Sequence, residues 1–427
     1  MNAIHMSQTL ALQGQNPLDA ARRAATAEGK IPVIVQADQE GMVEAQDTFT
    51  RLTGVTELED LHLINGFAAE VTPEALNRLN ESGQKLKVTV DEEVHLIDPV
   101  LPEESGPRPE LDNAMATLGV DKLWEQGYRG QGVTIAVIDT GIYPHPDLQD
   151  RIVAFKDWVA GRTEAYDDQG HGTHVAGDAG GNGTMSDGRY MGAAPEANLV
   201  GIKVLDKHGS GRLSDIIKGV QWAVDHKDEH HIDIINMSLG GPVFASYKED
   251  PVAQAVGEAI NHGIIAAVAG GNSGPKPSTI GTPGNHPQAF TVGALDDHGT
   301  RTRADDDVAF FSSRGPTSID GLTKPDILSP GVAITAANSP GSALDKLAVP
   351  HVGRSYITIS GTSMATPVMA GVIAAVLSAN HDLTPAEVKE IFTSTATPLE
   401  GVDANSQGSG VVNAEGALAE ALKRKQS

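Results

Sequence analysis

Short, continuous apolar segments recur along the chain from about residue 111 onward. They lack the alternation of a half-exposed strand, which is typical of strands buried on both faces. Helical segments at residues 214–224 and 251–262 separate some of them. Strands that alternate with helices at this spacing predict βαβ units and a mainly parallel sheet, an α/β fold. The predicted strands are residues 133–138, 199–204, 232–236, 264–268 and 289–292.

A smaller unit precedes this region. Residues 31–97 read as strand, helix, two strands, helix and strand, which predicts a small ferredoxin-like α+β domain. The dipeptide Asn65-Gly66 predicts a hairpin turn between the two central strands. The predicted elements are strands at 31–36, 61–64, 67–71 and 88–97 and helices from 40 to 52 and from 73 onward.

The composition changes between the two units. Residues 98–110 hold four prolines and four acidic residues among thirteen, which is the composition of a linker. The sequence therefore predicts an N-terminal extension (1–30), a small domain (31–97), a linker (98–110) and a large domain (111–427).

The charge of the chain excludes several classes of partner. With 31 basic and 56 acidic side chains, the net charge is −25, which repels nucleic acid and anionic membranes. Cysteine is absent, so disulfides, thiolate catalysis and Cys-ligated metals are excluded. The first 30 residues contain no apolar signal-peptide core, and no run of 18 apolar residues occurs. We therefore expect a cytoplasmic protein, with unconventional secretion as the alternative.

Two short motifs place a carboxylate and imidazoles beside glycines. Asp139 ends a predicted buried strand in Asp139-Thr140-Gly141, where it either acts in a site or caps a turn. His171 and His174 lie in GHGTHVAG, three residues apart. That spacing leaves a zinc site with Asp139 open, although no Glu completes an H-E-x-x-H pattern.

A third motif places a hydroxyl at the start of a helix. Ser363 lies in GTSMATP, directly before the apolar segment 368–377, which predicts a buried helix. Taken alone, Ser363 reads as a helix N-cap. A hydroxyl becomes a nucleophile when an imidazole takes its proton and a carboxylate orients that imidazole. Asp139, His171 and Ser363 supply these three groups in one of the chain orders known for such triads.

Together these motifs resemble the subtilisin-like serine proteases, the subtilases. The resemblance spans residues 111–427 and continues in NMSLGG (236–241), AGGNSG (269–274), FSSRGP (311–316) and KPDI (324–327). The strings DTGIYPHPDL and EANLVGIKVL look closest to the AprX-type subtilases. The resemblance implies a three-layer sandwich around a mainly parallel sheet and a serine endopeptidase that needs no cofactor for its chemistry.

The resemblance also implies a role for each motif residue. Asp139 would orient the imidazole, His171 would act as general base and then acid, and Ser363 would attack the substrate carbonyl. Asn272 and the Ser363 N–H would stabilise the oxyanion, whereas His174 would be structural. A catalytically silent relative that acts as a binding scaffold is the alternative from another class.

Further segments resemble the substrate-binding edges of the family. Residues Ser238, Leu239, Gly240 and Gly241 would pair with substrate backbone as an added strand. The pocket for the P1 side chain would be lined by Ala269, Gly270, Gly271 and Gly281. Small residues there predict broad specificity with larger apolar P1 residues, unless these glycines only form turns.

The small domain is similar to the inhibitory propeptides of subtilases. It would inhibit its own enzyme until the chain cuts itself between about residues 98 and 115, so we expect a zymogen. We also expect a monomer that acts on protein and peptide substrates. A permanently attached accessory domain is the alternative. The resemblance leaves a structural Ca²⁺ site open, with Asp147 as a candidate ligand, although residues 180–190 differ from the family's calcium loop.

Overall fold

The computed structural model describes residues 5–6, 29–52, 54–55, 58–81, 86–97, 99–100 and 111–425. Most of the predicted extension and linker therefore lies outside the described residues, namely residues 1–4, 7–28, 98 and 101–110. None of the helices within the described residues is long and apolar enough to cross a membrane.

The N-terminal unit consists of β1 (His5–Met6), β2 (Ile31–Gln36), α1 (Gln39–Arg51), β3 (Glu59–Leu61), β4 (Gly66–Val71), α2 (Pro73–Glu81) and β5 (Lys87–Val90). Its strand order is β1-β5-β2-β4-β3. All pairs are antiparallel except β1 with β5. Phe49 of α1 packs edge-on against Phe67 of β4, with ring centroids 4.9 Å apart. The elements from β2 to β5 follow the β-α-β-β-α-β order.

The predicted strand at residues 61–64 takes a different form. β3 ends at Leu61, and a 3-10 turn, His62–Ile64, follows it. Asn65 then adopts a left-handed conformation with φ of 50°, and its N–H donates to the His62 carbonyl. Asn tolerates this conformation better than most residues. The strands are therefore joined by a wider turn than a two-residue hairpin.

The predicted last strand of this unit divides at Asp91. Beyond it, β6 (Glu93–His95) leaves the sheet and pairs antiparallel with Ser210–Arg212 of the large domain. The Asp91 carboxylate accepts hydrogen bonds from the Ser214 N–H (2.9 Å) and hydroxyl (2.6 Å). Because a buried carboxylate requires such partners, contact with the large domain ends the strand here.

The large domain is built on one sheet, whose strands are β7 (Thr134–Asp139), β8 (Ile152–Asp157), β9 (Asn198–Lys203), β11 (Ile232–Met237), β12 (Ile265–Ala269), β13 (Phe290–Asp296), β14 (Asp307–Val308) and β15 (Ile327–Pro330). Their order is β14-β13-β12-β11-β7-β9-β8, and β15 also pairs with β13. Its pairs are parallel except β13 with β14. All residues of β7 are buried, as the continuous apolar run predicts. One further strand, β10 (Ser210–Arg212), lies outside this sheet and pairs with β6.

Helices cover both faces of this sheet. They are α3 (Leu111–Leu118), α4 (Val120–Glu125), α5 (His171–Gly180), α6 (Leu213–Asp225), α7 (Lys227–His230), α8 (Pro251–Asn261), α9 (Thr362–Leu377), α10 (Pro385–Thr395), α11 (Ala404–Gln407) and α12 (Ala414–Lys425). α5, α9 and α12 share the core on one face. α6 and α8 form the other core together with apolar residues of the N-terminal unit. The predicted three-layer α/β sandwich is therefore confirmed.

A small antiparallel sheet in the order β16-β18-β17 lies beside α5. Its strands are β16 (Ile334–Ala337), β17 (His351–Val352) and β18 (Tyr356–Ile359). Gly177 of α5 permits the contact, because a Cβ there would lie 2.9 Å from the Ala337 nitrogen.

Candidate active site

Asp139 is the last residue of β7 and is completely buried. The chain turns immediately afterwards at Gly141, which has a φ of 121°. A Cβ at Gly141 would lie 2.2 Å from the Tyr166 carbonyl oxygen, so the turn requires glycine. The carboxylate therefore lies at the carboxyl end of the parallel sheet, where such folds place functional groups.

His171 is the first residue of α5, and Gly170 precedes it with a φ of 105°. Its Nδ1 lies 2.8 Å from Asp139 Oδ1, with both side chains 0% exposed. Because the carboxylate accepts, Nδ1 carries the hydrogen and Nε2 is the basic nitrogen. Burial lowers the pKa of His171, but the charge and hydrogen bond of Asp139, together with the charges of Asp167 and Asp178, outweigh it and raise that pKa above its ordinary value of 6.5.

Ser363 is the second residue of α9 and is fully buried. Its hydroxyl donates to the Ser238 carbonyl across 3.2 Å. The Nε2 atom of His171 has no hydrogen-bond partner among the described residues. The structure thus joins Asp139 to His171, whereas the Ser363 hydroxyl and the imidazole share no hydrogen bond in this state.

Pro367 explains why Ser238 and Ser363 meet. Proline has no N–H, so in α9 it leaves the carbonyl four residues earlier, that of Ser363, without a helical donor. The Ser238 hydroxyl donates to that carbonyl across 2.9 Å. The motif around Ser238 predicted pairing with substrate backbone and gave no sign of this contact.

Asn272 is oriented by Thr362, the first residue of α9. Its Oδ1 accepts hydrogen bonds from the Thr362 N–H and the Thr362 hydroxyl, each across 2.9 Å. The same hydroxyl accepts from the Gly271 N–H across 3.2 Å. With Oδ1 committed, the donor end of the amide lies on the other side, where a Cβ on Gly361 would come within 3.1 Å of Nδ2.

The predicted substrate-binding segments adjoin one another. Gly241 pairs with Thr282 through two backbone hydrogen bonds of 3.0 and 2.9 Å, and the Gly281 N–H donates to the Gly270 carbonyl across 3.1 Å. A Cβ on Gly240 would lie 2.6 Å from the Thr282 carbonyl oxygen. Ser238 and Leu239 directly follow β11, and Ala269 is the last residue of β12. Gly271 follows β12 and has a φ of 109°. Their glycines therefore permit close backbone approach as well as turns.

A segment of the N-terminal unit lies along this cleft. After β6, the Leu96 N–H donates to the Gly209 carbonyl across 2.8 Å, and Leu96 forms an antiparallel bridge with Leu239. Val100 then pairs with Ser360 through bonds of 2.8 and 3.0 Å. Residues 93–97 and 99–100 therefore extend from β10 to Ser360, three residues before Ser363.

Three parts of this site were not predicted from the sequence. β10 and Ser360 form its edges, and Thr362 orients Asn272. The Gly209-Ser210-Gly211 string was the available signal for an exposed edge, because such small residues leave the backbone open to pairing.

His174 lies apart from the Asp139–His171 pair. Its Nδ1 is 3.0 Å from Asp178 Oδ2 and its Nε2 is 3.2 Å from the Ile357 carbonyl. Among the described residues, no group of three or more His, Asp or Glu side chains could hold a metal ion. The zinc alternative therefore lacks its ligand set in this part of the chain.

Asp147 is buried with both carboxylate oxygens in use. Oδ1 accepts from the Met185 N–H across 2.9 Å, and Oδ2 accepts from the Tyr356 hydroxyl across 2.7 Å. Each carboxylate oxygen keeps a second lone pair that a cation could use. Asp147 as a Ca²⁺ ligand therefore stays a prediction.

Comparison with known proteins identifies the family. Residues 130–416 match the Subtilase family, Peptidase S8. The chain is 48% identical to serine protease AprX of Bacillus subtilis over 362 residues, which cover 83% of this chain and 79% of AprX. It is 38% identical to subtilisin E of the same species, covering 69% and 68% of the two chains. It is also 31% identical to a thermostable alkaline protease of Halalkalibacterium halodurans, covering 92% of each.

A solved structure supports the same fold. The crystal structure of fervidolysin from Fervidobacterium pennivorans, a keratinolytic enzyme related to subtilisin, matches with a TM-score of 0.73 at 22% identity. The match covers 91% of this chain and 61% of fervidolysin. Fold, family model and relatives agree, and the chain belongs to the subtilase family of serine-type endopeptidases.

Proposed function

We propose that this chain hydrolyses peptide bonds through Asp139, His171 and Ser363, and that it is made as a zymogen that processes itself. The observation that carries the proposal is the buried Asp139–His171 pair, in which Asp139 Oδ1 and His171 Nδ1 are 2.8 Å apart. The other ring nitrogen, Nε2, has no hydrogen-bond partner among the described residues, and the pKa of His171 is raised, as a general base requires. Ser363, at the start of a buried helix, is the nucleophile.

In the proposed reaction the Ser363 hydroxyl turns from the Ser238 carbonyl towards His171 Nε2, which takes its proton as Oγ bonds to the substrate carbonyl carbon. The C=O electron pair moves onto oxygen. The imidazolium, stabilised by Asp139, then protonates the amine as the C–N bond breaks. A water molecule repeats these steps on the acyl-enzyme, releases the acid and restores the Ser363 hydroxyl.

The proposed oxyanion site combines Asn272 with the start of α9. The bonds of Thr362 to Oδ1 support the role of the Asn272 amide as donor. The N–H of Ser363 lies in the first turn of α9, where backbone donors and the helix dipole favour a negative charge. These donors would stabilise the charge that develops on the carbonyl oxygen.

We propose that substrates bind as a strand between β10 and residues Ser238–Gly241. The pairing of Glu93–His95 with β10 and of Leu96 with Leu239 supports this mode, because an extended peptide there gains backbone hydrogen bonds whatever its sequence. Small residues at positions 269–271 and 281 support a roomy P1 pocket. We therefore expect broad specificity, with larger apolar residues at P1.

The same segment supports self-processing. Leu96 forms a bridge with Leu239, and Val100 pairs with Ser360, three residues before Ser363, so we propose that the bond that is cut lies between Leu96 and Val100. The unit that carries this segment would act as an intramolecular inhibitor until that bond is cut.

The test compares the full chain with its Ser363→Ala variant by intact mass, N-terminal sequencing and casein hydrolysis. We expect the wild type to acquire a new N-terminus among residues 97–100 and to cleave casein, while the variant does neither. A variant that still cleaves casein would refute Ser363 as nucleophile. If the wild type is active at full length, the proposal of a protease stands, but the N-terminal unit is a permanent domain and not a removable inhibitor.

A further inference from the structure

Asp167 is a buried carboxylate close to the triad that the proposed reaction does not use. It is 5% exposed and accepts five hydrogen bonds. Its Oδ1 accepts from the Thr140 hydroxyl (3.0 Å), the Gln169 N–H (3.2 Å) and the Gly170 N–H (2.7 Å). Its Oδ2 accepts from the Thr173 N–H (2.9 Å) and the Thr173 hydroxyl (2.7 Å).

These donors belong to the two segments that carry the triad partners. Thr140 directly follows Asp139, whereas Gly170 and Thr173 lie on either side of His171. The Thr140 hydroxyl also accepts from the Gly172 N–H across 2.9 Å. The hydrogen bonds of Asp167 and Thr140 therefore link the end of β7 to the start of α5. We infer that these bonds help to fix the distance between Asp139 and His171.

Asp167 also acts on His171 through its charge. Burial lowers the pKa of His171, the charge and hydrogen bond of Asp139 raise it, and the charges of Asp167 and Asp178 raise it further. Lys203, fully buried on β9, is the sheet neighbour of Asp139, and its ammonium donates to Asp168 across 2.8 Å. Removal of the Asp167 charge should therefore move the titration of the imidazole to lower pH.

We propose that Asp167 is a positioning residue of the triad, which holds Asp139 and His171 in register and supports the positive charge that His171 acquires. This inference rests on the proposed function. It differs from a purely structural role, because loss of the carboxylate should change turnover and its pH dependence in enzyme that remains folded.

The experiment measures kcat, KM and the pH profile of Asp167→Asn, with Asp150→Asn, an exposed carboxylate, as the control for charge removal. Each full-length protein is first matured with a trace of wild-type enzyme, and its active sites are counted with a serine-reactive phosphonate. We expect kcat per counted site to fall roughly tenfold or more, because small misplacements of reacting groups are costly. KM should stay nearly constant, and the acid limb should move to lower pH.

The control should match the wild type. Unchanged kcat and an unchanged acid limb in Asp167→Asn would overturn the positioning role while leaving the protease intact. A wild type that the phosphonate does not label would instead overturn the proposed function. If Asp167→Asn does not fold, Thr140→Val removes only the linking hydroxyl. A fall in kcat then supports the proposal, and wild-type kcat refutes it.

Discussion

Ser238 and Ser363 exchange hydrogen bonds: the Ser238 hydroxyl donates to the Ser363 carbonyl across 2.9 Å, and the Ser363 hydroxyl donates to the Ser238 carbonyl across 3.2 Å. The first bond replaces the helical bond that Pro367 cannot make. Ser238→Ala should therefore leave a buried carbonyl unsatisfied and lower the free energy of unfolding by about 1–3 kcal/mol.

Pro367→Ala provides the matched control for that prediction. It restores an N–H four residues after Ser363, so adding it to Ser238→Ala should recover much of the lost stability. Thermal and denaturant unfolding of the four proteins, in the inactive Ser363→Ala background, measures this coupling. Strictly additive effects would show that Pro367 and Ser238 do not share the Ser363 carbonyl.

Activity should depend on the protonation of His171. Burial lowers its pKa, but Asp139, Asp167 and Asp178 together raise it above 6.5. We therefore expect kcat/KM to be high at alkaline pH and to fall as the pH drops through a value above 6.5. The pH profile with a peptide substrate measures this. A profile that stays flat down to about pH 5 would exclude His171 as the base.

The amide of Asn272 should contribute to kcat much more than to KM. In Asn272→Ala we expect kcat to fall by about 10²–10³, as for the loss of one oxyanion donor in a subtilisin. Steady-state kinetics on matured enzyme measures the effect. A loss confined to KM would assign Asn272 to ground-state binding instead.

Asp91 should make the stability of the uncut chain depend on pH. Burial raises the pKa of Asp91 to about 6, although bonds from Ser214 oppose it. A pKa that is higher in the folded chain than in the unfolded chain means that folding favours the protonated form of Asp91. The stability that Asp91 contributes is therefore present at low pH and is lost as the pH rises through about 6. In Ser363→Ala, Asp91→Asn should flatten the pH dependence of the melting temperature between about pH 4 and 7. Identical curves with and without Asp91→Asn would contradict this.

Protein donors alone should be enough to hold the Asp147 carboxylate in place, because the Met185 N–H and the Tyr356 hydroxyl each bond one of its oxygens. We expect excess EDTA to leave the difference in melting temperature between wild type and Tyr356→Phe unaltered. Tyr356→Phe itself should cost about 1–3 kcal/mol, since it leaves one buried oxygen without a donor. A melting temperature that falls with EDTA in the wild type but not in Tyr356→Phe would indicate a cation at this carboxylate.

Local pattern was sufficient for the framework of the fold. The apolar run at residues 133–138 predicted β7 to within one residue, and the following Gly141 marked the turn that presents Asp139. Burial on both faces is encoded in each strand by its own residues. Element type and the location of Asp139, His171 and Ser363 at element ends could therefore be predicted.

Contacts between distant residues could not be predicted in this way. Ser238 and Ser363 are 125 residues apart, and Asp91 and Ser214 are 123 apart. The identity of a hydrogen-bond partner depends on how layers stack, and the period of a strand or helix does not contain it. For the same reason, neither the end of β5 at the contact of Asp91 with Ser214 nor the hydrogen bond from Tyr356 to Asp147 could be predicted.

The pairing of Leu96 with Gly209 and of Val100 with Ser360 has a kinetic consequence. Tethering gives the segment a local concentration at its own cleft that dilution does not change. First cleavage should therefore follow first-order kinetics, with a half-time that is independent of the amount of protein. Once the bond is cut, the released unit must compete as an ordinary second-order inhibitor, so dilution alone would then favour the active enzyme.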